Sequence, residues 1–105
     1  MKHTGYLVQV VLPVYDGGGR KILQRRFAAV MHTLTERYGG VTAYVHTPAE
    51  GRWASRGKTH RDEVIIIEVM TDSRDARWWK DYRKKLELEF KQENILVRLL
   101  RCETL

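Results

Sequence analysis

An antiparallel four-stranded sheet with two helices on one face is the α+β fold class predicted for this 105-residue chain. Three observations predict it. The hydrophobic pattern switches between period two and period three-to-four in the order β-α-β-β-α-β. Each helical segment lies between two strands, as a crossover requires. The third strand has one wholly apolar face, Ile65, Ile67 and Val69, suited to lie under helices.

The elements follow in order. Residues 6–15 are rich in β-branched and aromatic side chains and read as the first strand. Pro13 has no N–H to give a ladder, so an edge or a strand end is expected there. Asp16-Gly17-Gly18-Gly19 breaks the pattern. From Ile22, an apolar stripe of Leu23, Phe27, Val30, Met31, Leu34 and Tyr38 recurs at helical steps. Gly39-Gly40 ends it where a left-handed residue is wanted. Residues 41–47 form the second strand, stopped by Pro48, and a long loop over about 48–61 follows. The third strand covers 63–70. Asp72 or Ser73 is expected to cap the second helix, with Asp75 in its first turn favoured by the helix dipole. Trp79, Tyr82, Leu86 and Phe90 make its buried stripe, with Trp78 on the margin. Residues 95–101 are the last strand. This is the ferredoxin-like βαββαβ sandwich in a single domain, 1–105.

Alternation assigns the faces. In the second strand Val41, Ala43 and Val45 face the helices, which leaves Thr42, Tyr44 and His46 on the other side. The third strand puts Val64, Ile66, Glu68 and Met70 there. The last strand is ambiguous, because Ile95, Val97 and Leu99 alternate with Leu96, Arg98 and Leu100. The face away from the helices is too apolar to be left in water and too polar for a dry core, and such a surface marks an interface or a groove. A homodimer, barrel-like in its pairing of two sheets, is expected to cover it. In the alternative, the long loop folds back over its own sheet.

Lys and Arg outnumber Asp and Glu by 19 to 13, giving a formal charge of +6. That excess permits attraction to an anionic partner without defining one. Cys102 is the single cysteine, so no intrachain disulfide exists. No apolar run approaches membrane-spanning length, and no signal region precedes the first strand, so a cytoplasmic protein is expected.

Three chemistries are open. The first is a pocket of Tyr44, His46, Trp53, Ile66 and Arg98 that holds a small molecule, part apolar and part polar or anionic. The second is an enzyme in which His46, beside Glu50 or Glu68, acts as general base and Tyr44 donates to a substrate oxygen. The third is nucleic-acid binding by the 52–61 loop, where Arg52, Arg56 and Lys58 accompany Trp53, aided by Arg74, Arg77, Lys80, Arg83, Lys84 and Lys85. His46, Glu50 and His60 lack any metal-binding spacing, and no cofactor is expected. Asp16-Gly-Gly-Gly-Arg20-Lys21 lacks the ending of a nucleotide-binding phosphate loop and reads as a flexible turn.

Gly40-Val41-Thr42, Glu50-Gly51-Arg52-Trp53, the pair Tyr82 and Phe90, and Gln92-Glu93-Asn94-Ile95-Leu96 together resemble a family of small bacterial ferredoxin-like proteins of unknown function. The resemblance runs over most of the chain from Tyr6 onward. It implies the fold and self-association and transfers no catalytic residue. A looser similarity is to dimeric α+β barrel proteins, which rests on architecture alone.

Overall fold

The structure, a computed structural model, describes residues 3–46 and 63–105. Its elements are β1 (His3–Pro13), α1 (Gln24–Tyr38), β2 (Thr42–His46), β3 (Val64–Thr71), α2 (Ala76–Glu89) and β4 (Leu96–Thr104). The strands form one antiparallel sheet in the order β2-β3-β1-β4, open at both edges among the described residues. Each helix therefore crosses over one intervening strand, and the expected ferredoxin-like βαββαβ arrangement is the one observed.

The core lies between the sheet and the two helices. Val8, Val10 and Leu12 of β1 and Ile67 and Val69 of β3 point into it and are almost wholly buried. Phe27, Val30 and Leu34 of α1 and Trp79, Tyr82 and Leu86 of α2 meet them, with Phe90 and Ile95 closing one end. Each such side chain stabilises the fold by about 1.5–3 kcal/mol relative to exposure. Val97 and Leu99 pair with Val10 and Val8, which settles the ambiguous last strand: its odd-numbered residues up to Arg101 lie on the helix side. Leu23, expected in the α1 stripe, precedes the helix and is exposed.

Local chemistry sets the boundaries. Gly39 ends α1 at φ 84°, and its N–H donates to the Thr35 carbonyl, a conformation a side chain would strain. Pro13 is the last residue of β1, a central strand, so its missing donor marks a strand end. The start of α2 corrects the sequence reading. The flanking residue is Asp75 itself, at φ 44°, and neither Asp72 nor Ser73 caps the helix; its first turn holds no acid. The Asp75 carboxylate is engaged elsewhere, accepting from the Tyr38 hydroxyl at 3.0 Å and from Arg37 at 3.4 Å. A tertiary partner has drawn it from the local role its position suggested.

Candidate ligand site on the open sheet face

Antiparallel partners point to the same side of a sheet, so the register generates the open face row by row. One row is Tyr44, Ile66, Val11 and Leu96. The next is Thr42, Glu68, Gln9 and Arg98, and the third is Met70, Leu7 and Leu100. A polar row thus crosses all four strands between two apolar ones.

The polar row is wired. The Gln9 amide donates to Glu68 Oε2 at 2.8 Å, and Arg98 Nε donates to Gln9 Oε1 at 2.6 Å. The two bonds fix the amide orientation and hold carboxylate and guanidinium at opposite ends of one glutamine. Glu68 is half-buried and Arg98 is exposed. Among the described residues each keeps capacity to spare: one carboxylate oxygen at one end, most of the guanidinium donors at the other.

At the Glu68 end the sheet meets the turn after α1. Tyr38, Gly39, Gly40, Val41, Thr42, Glu68 and Met70 line a cleft of about 440 Å³. A second, of about 320 Å³, lies against Arg37, Tyr38, Met70, Thr71, Asp72 and Ser73, so Tyr38 and Met70 border both. Neither Gly39 nor Gly40 has a heavy atom within 4 Å of where a Cβ would stand, which leaves the cleft wall open. Tyr38 is held from behind: it stacks on Trp79 at 5.6 Å between ring centroids and meets Trp78 edge-on at 6.0 Å. Arg37 lies over the Trp78 ring at 4.2 Å. Burial raises the Tyr38 phenol above its usual range, so it stays a neutral donor at physiological pH.

The residues expected from the sequence divide between these places and the undescribed segment. Tyr44, Ile66, Glu68 and Arg98 share the open face, with Tyr44 half exposed. His46 occupies the register position opposite Val64, two residues along β2 from Tyr44. Glu50 and Trp53, with the whole 48–61 loop, lie outside the described residues. On α2, Arg77 and Arg83 have partners in Asp81 and Glu87, while Lys80, Lys84 and Lys85 are exposed. In the glycine turn the Asp16 carboxylate accepts from the Arg20 and Gly18 N–H groups, which lowers its pKa, and the Gly17 N–H donates to the Lys91 carbonyl.

Met70 lies on the face that alternation assigns to the site, whereas Gln9 and Tyr38 are not among the site residues expected from the sequence. Gln9 is the one polar residue in Leu7–Pro13, and that interruption of an apolar strand was the available signal. Nothing local distinguished Tyr38 from a core residue.

No family model matches the chain, and neither does any curated protein sequence. Membership of the bacterial family therefore remains a resemblance of short motifs. Among solved structures, a phage SAM lyase in complex with S-methyl-5'-thioadenosine has a similar fold, with a TM-score of 0.60 and 14% identity. The match covers 95% of this chain and 88% of that one. At this identity the likeness establishes the shared fold.

Proposed function

We propose that this domain binds a small nucleoside-like ligand at the Glu68 corner of its open sheet face, and that it works as a homodimer packed through that face. The carrying observation is the oriented Glu68 carboxylate, held by Gln9 beside Met70 and Tyr38 at the cleft. Apolar walls with a few fixed polar groups are the usual make-up of a small-molecule site. The structural neighbour, which holds S-methyl-5'-thioadenosine, supplies the ligand class. A thioether would lie against Met70, and Thr42 offers a hydroxyl to a ribose. A sulfonium would suit the site further, since a carboxylate beside apolar groups attracts a cation that has no proton to donate.

Titration calorimetry with S-methyl-5'-thioadenosine tests the reading. Saturable binding that Glu68→Gln weakens about tenfold, the loss of about 1.4 kcal/mol, supports it. Absence of binding, or equal affinity in the variant, overturns it. The neighbour's lyase activity motivates a second arm: incubation with S-adenosylmethionine, with chromatography for the thioadenosine product, tests for an enzyme.

A further inference from the structure

The open face is charged asymmetrically along one row and apolar along the rows beside it, and this restricts how a second copy can cover it. The guanidinium of Arg98 lies on the edge strand β4, the carboxylate of Glu68 on β3, and Gln9 stands between them on β1. Adjacent strands are about 4.8 Å apart, so the two charged residues are rooted roughly 10 Å from each other. Among the described residues neither has a charged partner within its own chain.

Two copies packed face to face share a two-fold axis that lies between the sheets. An axis along the polar row would set Arg98 against Arg98 and Glu68 against Glu68, and like charges brought together cost several kcal/mol. An axis along β1 does the reverse. It carries β4 of one copy over β3 of the other, so Arg98 faces Glu68 twice. It also keeps every row at its own height: the polar row meets the polar row, Leu7 and Leu100 meet the row of Met70, and Val11 and Leu96 meet the row of Ile66. The apolar rows bury their exposed side chains, among them Met70, Leu96 and Leu100, all at least two-fifths exposed in the single chain.

We infer that the occupant of the open face is a second copy of this chain, related by a two-fold axis along β1, with Arg98 of each copy paired to Glu68 of the other. This rests on the homodimer proposed above and deepens it. One consequence concerns the site. In that arrangement β2 extends past the edge strand of the second copy, so Tyr44, Thr42 and the cleft beside Gly39 and Gly40 stay open. Arg98 of the second copy then borders the same cleft as Glu68. The ligand site is completed across the interface, one copy giving the carboxylate and the other the guanidinium.

A charge swap on the full chain tests the pairing. By light scattering after size exclusion, the natural protein should have the mass of two chains. Glu68→Arg and Arg98→Glu should each be monomeric under the same conditions, because each brings like charges together twice. An equimolar mixture of the two variants should recover the two-chain mass, since every cross-contact then joins opposite charges. The double variant should recover it as well. Circular dichroism on each single variant separates lost association from lost fold, and the mixture reports on pairing directly. A natural protein that is monomeric or of another stoichiometry, single variants that still dimerise, or a mixture that stays monomeric would each overturn the inference. Ligand titration is independent: a dimer that fails to bind S-methyl-5'-thioadenosine removes the ligand reading alone, and a monomer that binds it removes the dimer alone.

Discussion

Ile66 and Ile67 are neighbours with the same side chain, and the sheet sends them to different surroundings. Ile67 is fully buried beneath the helices among Val10, Val69 and the helix residues. Ile66, half-buried, stands on the open face beside Val11 and Tyr44, one row from a carboxylate and a guanidinium. The helix side is an apolar interior whose role is cohesion. The open side mixes apolar rows with an oriented polar one, and polar groups held in fixed geometry at a surface serve recognition more than stability.

The largest effect that would break this contrast is a pair of truncations, made in the Glu68→Arg background so that association does not enter. Ile67→Ala should cost about 2–5 kcal/mol in urea denaturation, through lost burial and a cavity. Ile66→Ala should stay within about 0.5–1 kcal/mol of its parent. Equal losses would mean that both faces are core.

A second test probes the helix side alone. Burial pushes the Tyr82 phenol from 10.0 up to about 12. The folded state thus holds that proton more tightly than the unfolded chain does. The associated stability is complete below pH 10 and is lost as pH rises through about 12. Denaturation midpoints over an alkaline series should fall steeply in the natural protein and less steeply in Tyr82→Phe, with a difference of about 2 kcal/mol at the alkaline end. Indistinguishable profiles would show that Tyr82 is not held protonated by the core.

The smallest effect sharpens the open side. Gln9→Leu removes both bonds of the row while fitting the apolar rows around it. Stability should change by about 1 kcal/mol or less, because the exposed Arg98 and the half-buried Glu68 both reach water. Affinity for S-methyl-5'-thioadenosine should nonetheless fall, since Glu68 loses its orienting donor. An unchanged affinity would separate the row from the site.

Much of the fold was legible in the residues themselves. The periods of α1 and α2, the apolar face of β3 and the placement of Thr42 and Tyr44 opposite the helices follow from repeats local to each segment, and those repeats survive folding. Gly39 as the end of α1 is equally local, since few residues other than glycine adopt φ 84° without strain. The start of α2 departs from the sequence expectation for the opposite reason. Asp72 and Ser73 are the expected caps and Asp75 the expected first-turn acid. Asp75 instead flanks the helix, and its carboxylate accepts from Tyr38 and Arg37, which are distant in sequence, as well as from Ser73.

The candidate site shows the same division. Composition and alternation by themselves determined that one sheet face would be mixed, and that Tyr44, Ile66 and Glu68 would lie on it. Only the tertiary structure decided that Glu68, Gln9 and Arg98 form one row. Gln9 is 59 residues from Glu68 and 89 from Arg98, and strand order and register alone bring the three side chains to hydrogen-bonding distance. A strand's period is a property of its own backbone, whereas its neighbour and its register are properties of the whole sheet.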